Sequence, residues 1–128
     1  MKLSLCSEYA LLCLIHLARF SHEAPTLESI SAACHIPTEM LKETLSVMEK
    51  ARYVKTIRGI QLAKPASRIN VLEIIRLFDG ALAPLEPVSA KGYEVAPMES
   101  EPKLNRLFSQ VQEQIIGQLE SITIADLA

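Results

Sequence analysis

The thiols and imidazoles are the most reactive side chains in this sequence of 128 residues. Cys13 and His16 are three positions apart, so on a helix they share one face, and Cys6 is close enough to approach them. Two interpretations stay open: a haem or metal site held by Cys6, Cys13 and His16, or a buried thiol beside a hydrogen-bonded core imidazole. The second is favoured, and no cofactor is expected. A redox switch is hypothesised only for Cys6, because of its N-terminal position, and Cys34 is expected to be structural.

Other catalytic patterns are missing from the sequence. It has no glycine-rich phosphate loop, no paired carboxylates and no nucleophile elbow, and its three histidines fall in separate predicted elements. We therefore expect no enzymatic activity. The odd number of cysteines has neither disulfide nor zinc spacing, which indicates a reducing compartment. The apolar run from Tyr9 to Ile15 is far shorter than the ~20 residues that span a bilayer, so we expect a cytoplasmic protein without membrane contact.

The composition favours packed helices. Hydrophobic residues make up 49% of the chain, but aromatic residues only 5%, and there is no Trp. The net charge of -2 conceals a basic segment, since six Lys/Arg residues stand between Lys42 and Lys64 against Glu43 and Glu49. Such a cluster is either a nucleic-acid surface or an ordinary solvated face.

The first half of the chain predicts a helix-turn-helix. Ser7 is predicted to cap a first helix that runs to about Phe20 and is apolar on nearly all sides, so a second chain or a distant segment should cover it. Thr26 caps a short helix, Leu27 to about Cys34, and Pro37 opens a longer one that runs to about Arg52. This order of a short helix, a tight turn and a longer, polar-faced helix is typical of a helix-turn-helix.

A hairpin is predicted directly after these helices. Tyr53 to Ile57 and Ile60 to Ala63 are short β-prone runs around Arg58-Gly59. A hairpin in this place is the wing of a winged helix fold. Asn70 and Glu73 then form a capping box, which predicts a helix that ends near Gly80.

The remaining chain divides into an irregular loop, residues 81–102, and a long helix that runs from Lys103 to about Ser121. We predict three units: a winged helix-turn-helix domain over 1–80, the loop over 81–102, and a dimerisation helix with its tail over 103–128. The helix carries an apolar stripe that is expected to pack on a second copy of the chain: Leu104, Leu107, Phe108, Val111, Ile115, Leu119 and Ile122.

The ordered set of segments resembles the Rrf2 family of bacterial transcription regulators. The matching segments include Glu8-Tyr9-Ala10-Leu11, Leu27-Glu28-Ser29-Ile30-Ser31, Ile36-Pro37, Arg58-Gly59, Leu62-Ala63-Lys64-Pro65, Ile69-Asn70-Val71-Leu72-Glu73-Ile74 and Leu119-Glu120-Ser121-Ile122. The resemblance implies a homodimeric repressor in which each winged helix reads one half-site of a palindrome in double-stranded DNA.

The resemblance also implies roles for individual residues. The side chains directed at the major groove would be Thr38, Glu39, Met40, Lys42 and Glu43. Contacts to phosphate, or positioning contacts, would come from Lys2, Tyr9, Lys50 and Lys55. Arg58 would reach the minor groove.

The sequence departs from the family in its wing, its helix charge and its cluster loop. About four residues that family members carry after the Arg-Gly of the wing are absent, so the wing should reach less far toward the minor groove. Glu39, Glu43 and Glu49 would repel phosphate, which leaves open an alternative: a dimeric ligand-sensing or protein-interaction module that has lost strong DNA binding. Cluster-bearing members use three loop cysteines, but the loop from Leu85 to Pro102 has none, so an ordinary iron–sulfur cluster is not expected.

Overall fold

The computed structural model describes residues 3–80 and 100–128. Its elements, in chain order, are α1 (Leu5–Arg19), α2 (Leu27–Cys34), α3 (Thr38–Lys50), β1 (Val54–Thr56), β2 (Ile60–Leu62), a 3₁₀ turn (Ala66–Arg68), α4 (Val71–Asp79), α5 (Pro102–Ser121) and α6 (Ile124–Leu127). The predicted fold class, mainly helical with a small hairpin wing, is confirmed. Most of the predicted loop, residues 81–99, lies outside the described residues.

Helix α1 begins earlier than predicted because Ser4, and not Ser7, is its cap. The hydroxyl of Ser4 accepts a hydrogen bond from the backbone N–H of Ser7. Ser7 is buried, and its Oγ donates to Oδ2 of Asp79 at 2.9 Å. Desolvation raises the pKa of Asp79, but hydrogen bonds from Ser4 and Ser7 outweigh it and hold that pKa below its ordinary value. The residue predicted as a cap instead joins the start of α1 to the end of α4.

Helix α1 forms the centre of the core. Ala10, Cys13, Leu14 and Leu17 are fully or almost fully buried, and the helix packs against α2, α3, α4, α6 and β2. The expected covering segment includes α6, from the far end of the chain. Another side of α1 stays open, since Leu12 is 46% exposed.

The helix-turn-helix is fixed at its turn by polar contacts. Thr26 and Ser29 form a capping box at the start of α2, as the sequence predicted for Thr26. His35 ends α2 in the left-handed conformation. Pro37 is the N-cap of α3 rather than its first helical residue, and α3 ends at Lys50, earlier than expected, because Arg52 has a φ of +65°.

The wing is a hairpin held against the loop between α1 and α2. Val54 pairs with Leu62, and Thr56 pairs with Ile60. The N–H of Ile60 donates to the carbonyl oxygen of Pro25 at 2.9 Å. Gly59 has a φ of +80°, and a Cβ built there would stand 2.5 Å from the carbonyl oxygen of Ala24. Its turn therefore lies directly on that loop.

Helix α4 starts at the predicted capping box. The N–H of Glu73 donates to Oδ1 of Asn70 at 2.8 Å, and Oε1 of Glu73 accepts from the N–H of Asn70 at 2.6 Å. Gly80 is the C-cap, as predicted.

Helix α5 packs on α4 through the C-terminal half of its stripe. Val71, Leu72 and Ile75 of α4 form a cluster that Ile115, Ile116, Leu119 and Ile122 cover. The chain after α5 returns to the main core: the N–H of Ile124 donates to the carbonyl of Ile69 at 2.8 Å, and the Ile124 side chain is fully buried. The tail therefore contributes to the folding unit of the N-terminal elements.

Within residues 3–80 and 100–128, the structure contains no helix of the length and hydropathy needed to cross a membrane.

Candidate nucleic-acid interface

The solvent face of α3 carries most of the side chains predicted for the major groove. Leu41, Thr44 and Met48 are buried on the opposite face, as the helical period requires. Thr38, Glu39, Lys42 and Glu43 are exposed, whereas Met40 is half-buried against the core. The structure therefore brings four of the five predicted residues to one open surface.

Charge on this surface is close to balanced, with an acidic excess. Lys42 Nζ lies 3.5 Å from Oε1 of Glu39, and both side chains are largely exposed. Exposed pairs of this kind contribute at most about 1 kcal/mol. The exposed faces of α3 carry Lys42 and Lys50 against Glu39, Glu43 and Glu49. The net charge of these faces does not favour phosphate, so most of the attraction to the DNA backbone must come from residues outside α3.

The start of α3 is tied to α2. The hydroxyl of Ser31 donates to the carbonyl oxygen of Ile36 at 2.5 Å and lies 3.3 Å from Oγ1 of Thr38. These contacts fix the turn, and with it the first residue that α3 presents to solvent.

The wing presents a short, fixed tip. Arg58 is exposed there, as predicted, and Ile57 beside it is 72% exposed. Sequence reasoning missed Ile57, which it assigned to a strand. Gly59 at this tip packs directly against the backbone of Ala24.

A groove lies between the end of α3 and the hairpin. Its volume is about 470 Å³, and it is lined by Glu49, Arg52, Val54, Lys55, Ala63 and Lys64. The sequence prediction named Lys55 and omitted Arg52 and Lys64. The dense basic segment between Lys42 and Lys64 was the signal that could have found them.

The other predicted phosphate contacts are spread over the molecule. Lys50 is exposed in the last turn of α3, and Tyr9 is half-buried on α1. Lys2 lies outside the described residues. The DNA contacts expected of these residues stay predictions.

The predicted dimer stripe divides into two parts. Leu104, Leu107 and Phe108 are exposed, with 52% of Leu107 open to solvent, and Val111 is half-buried. Ile115, Leu119 and Ile122 instead pack on α4 within the same chain.

Burial disfavours the thiolate form of Cys13 and Cys34, which is the form that binds metals. Burial raises the pKa of Cys13 to about 12, with a further contribution from Cys34, whose own pKa is raised by burial. Cys6 is half-buried on α1, and the ring of His16 lies 4.7 Å from that of Phe20. Throughout residues 3–80 and 100–128, no three His, Cys, Asp or Glu side chains are grouped as a metal site. The expectation that Cys6, Cys13 and His16 hold no haem or metal stays a prediction.

Together, a helix-turn-helix with an open second helix and a neighbouring wing define a winged helix DNA-binding regulator. The chain matches the model of the Rrf2 family, described as an iron-dependent transcriptional regulator, over residues 3–128. The protein therefore belongs to the Rrf2 family of transcription regulators, as the sequence resemblance indicated.

Similar proteins agree with this assignment. The chain is 29% identical to the HTH-type transcriptional regulator CymR of Bacillus subtilis, over all of this chain and 90% of CymR. The solved structure of CymR, the global cysteine regulator of that organism, superposes with a TM-score of 0.82 at 28% identity and covers 100% of this chain and 96% of its own. The structure of T. potens IscR gives a TM-score of 0.75 at 27% identity, covering 99% and 85%. These relatives are named as regulators, which agrees with the expectation of no enzymatic activity.

The family description names iron, and the donor set of this chain does not fit an iron–sulfur cluster. Such clusters are held by thiolates. The chain has three cysteines, none after Cys34, and they lie at the start of α1, inside the core and at the end of α2. Cys13 is fully buried, and its raised pKa keeps it a protonated thiol at neutral pH.

Proposed function

We propose that this regulator acts as a homodimeric repressor that binds a palindromic operator without an iron–sulfur cluster. The observation that carries the proposal is the open face of α3 from Thr38 to Glu43, placed beside a wing whose tip is fixed on the α1–α2 loop. Each winged helix would read one half-site, with half-site centres about 34–36 Å apart. Because chromosomal DNA is its target, the proposal places the protein in the cytoplasm.

The uncovered part of α5 supports the homodimer. Leu104, Leu107 and Phe108 form an apolar patch on a 20-residue helix, and Leu5 and Leu12 of α1 are exposed as well. Burial of such side chains is worth roughly 25 cal/mol per Å² of apolar area. A second copy that presents the same patch would cover it in a two-fold contact.

The dimer is tested by placing charge in this patch. Phe108→Lys should convert the dimer to a monomer in sedimentation velocity, whereas Leu127→Lys, at a comparably exposed leucine of α6, should leave it a dimer. A wild-type chain that sediments as a monomer at micromolar concentration would contradict the proposal.

Within the proposal, base edges are read by α3. Lys42 can donate to guanine, and Glu39 or Glu43 can accept from the amino group of cytosine. Thr38 would contact a neighbouring base, whereas Met40, which is half-buried against the core, would support α3 from below. Lys2, Tyr9, Lys50 and Lys55 would contact or position the phosphates, and Arg58 would enter the minor groove.

DNA binding is tested with duplexes selected from a random pool on the purified protein. Affinity should fall steeply as salt rises. Glu43→Gln should change the preferred sequence, while Glu28→Gln, at an exposed glutamate of α2, should not. Failure to enrich any sequence at low salt would refute the proposal, and a reporter downstream of an enriched site should be derepressed when the protein is removed.

A second candidate function keeps the fold without strong DNA binding, as a ligand-sensing or protein-interaction module. The acidic excess on α3 favours it, because Glu39, Glu43 and Glu49 outnumber Lys42 and Lys50. This candidate predicts a stable dimer in sedimentation velocity that enriches no duplex at low salt.

A further inference from the structure

The groove between α3 and the hairpin carries an excess of positive charge. Arg52, Lys55 and Lys64 line it together with one carboxylate, that of Glu49. Within residues 3–80 and 100–128, the one ion pair closer than 4.0 Å joins Lys42 to Glu39, so none of the three groove cations is neutralised in that way. The groove therefore carries a net charge of +2 beside a helix whose own face is slightly acidic.

Lys64 is held in place by a neighbouring ring. Its Nζ lies 4.4 Å from the ring centroid of Tyr53, a cation–π contact. Tyr53 is buried, and its hydroxyl donates to Oε2 of Glu73 at 3.0 Å. The other oxygen of Glu73 caps α4 by accepting from the N–H of Asn70. A fixed platform therefore supports the ammonium group, which lowers the entropy lost when it binds an anion.

Arg52 reaches the groove through a backbone conformation that side chains rarely adopt. Its φ is +65°, a value that glycine and asparagine adopt more readily than arginine, so the backbone is strained here. Hydrogen bonds on both sides hold this conformation: the N–H of Arg52 donates to Glu49 and the N–H of Tyr53 donates to Met48. A left-handed residue at this point follows the end of α3 and turns the chain into β1, which places Arg52 in the wall of the groove.

We infer that this groove, lined by Arg52, Lys55 and Lys64, is a phosphate site that takes a phosphodiester of the DNA strand next to the wing. The guanidinium and the two ammonium groups are the donors that phosphate oxygens prefer. Lys50, the last residue of α3, is exposed two positions before Arg52 in the chain. This inference rests on the proposed function and deepens it, because the site supplies the attraction to the DNA backbone that the acidic face of α3 lacks.

The test compares salt dependence among variants that each lose one positive charge. Arg52→Gln and Lys64→Gln should each lower the slope of log Kd against log salt by about 0.9, and should weaken binding about fivefold to tenfold at 0.1 M salt. Arg68→Gln and Lys103→Gln, exposed cations away from the groove, are the matched controls and should leave the slope unchanged. Arg52→Lys keeps the charge and should keep most of the slope.

The platform is tested through Tyr53. Tyr53→Phe keeps the ring beneath Lys64, so the slope should stay that of the wild type. Tyr53→Leu removes the ring and should weaken DNA binding, but it should add nothing in a Lys64→Gln background. Thermal unfolding of each variant establishes that the fold is retained before DNA binding is measured.

The outcomes separate this inference from the proposed function. If the wild type enriches a duplex but the groove variants keep the wild-type slope, the groove is not a DNA contact, while the proposed function stands. If no duplex is enriched, the proposed function fails first. Free phosphate is the other ligand with the same chemistry. It would replace the DNA strand as the occupant if inorganic phosphate saturated the amide NMR shifts of Arg52 and Lys64 below about 1 mM, while the groove variants kept the wild-type slope of log Kd for DNA against log salt.

Discussion

Two glycines should respond in opposite ways to the same substitution. Gly59 has a φ of +80°, and its missing Cβ would stand 2.5 Å from the oxygen and 2.7 Å from the carbon of the Ala24 carbonyl. Gly117 is a residue of α5, and a Cβ there would meet nothing within 4 Å. Alanine at the two positions therefore makes a matched pair: one clashes with backbone and the other enters open space.

The expected magnitudes depend on these surroundings. Alanine at position 59 is strained by its positive φ and must also displace a backbone carbonyl, which the adjacent hydrogen bond from Ile60 to Pro25 restrains. Strain and overpacking together should lower the free energy of unfolding by about 2–4 kcal/mol. Alanine at position 117 should raise the free energy of unfolding by up to about 1 kcal/mol, the difference in helix propensity between alanine and glycine.

Urea unfolding followed by far-ultraviolet circular dichroism measures both changes. The three proteins are compared at one concentration, because the stability of the proposed dimer would depend on concentration. A neutral Gly59→Ala would refute the contact between the wing and the α1–α2 loop. A destabilising Gly117→Ala would show that another chain approaches this position closely, and would refute the open space assigned to it.

Three further predictions concern buried groups. Ser7→Ala should lower the free energy of unfolding by about 1 kcal/mol at neutral pH. Because hydrogen bonds hold the folded pKa of Asp79 low, their contribution is fully present above the unfolded pKa near 4. In urea titrations, the difference between the variant and the wild type should therefore shrink as the pH falls through the folded pKa of Asp79. Ile124→Ala should lower the free energy of unfolding by about 2–4 kcal/mol, whereas Leu127→Ala, at an exposed position, should lower it by less than about 1 kcal/mol. Equal effects of the two substitutions would contradict the packing of the tail in the core. Burial, together with Glu73, raises the pKa of Tyr53 to about 12 in the folded protein. Because the unfolded chain loses this proton near pH 10, the free energy of unfolding should decline as the pH rises from about 10 toward 12. A Tyr53→Phe variant with the same decline would disprove this assignment.

Local signals in the sequence predicted the helix starts that depend on neighbours in the chain. Thr26 and Asn70 cap helices through bonds to residues three positions on, so composition and spacing were sufficient. The cap of α1 was predicted wrongly because Ser4 and Ser7 are equally good candidates locally. The bond from Ser7 to Asp79, 72 positions away, decides between them.

The candidate site was predictable where it obeys a helical period, and not where separate elements meet. Thr38, Glu39, Lys42 and Glu43 fall on one face of α3 by spacing alone. Arg52 and Lys64 belong to the groove because β2 pairs with β1 and because Arg52, two residues after the end of α3, is left-handed, neither of which is visible in the charge pattern. The basic segment was evident in the sequence, but its charges could not be assigned to surfaces.

The long helix α5 divides its apolar stripe between two roles that the sequence could not separate. The stripe forms one continuous line in the sequence, yet the structure uses Ile115 and Leu119 to cover α4 and leaves Leu107 and Phe108 open. A single helix thus serves intrachain packing at one end and offers an uncovered surface at the other. Because the helix continues through both parts, a second copy bound to the open part would also stabilise the part that covers α4. In the proposed dimer, folding of the tail and assembly would then be linked, so that the separation of the DNA half-sites would depend on how firmly α5 is held to its own winged helix.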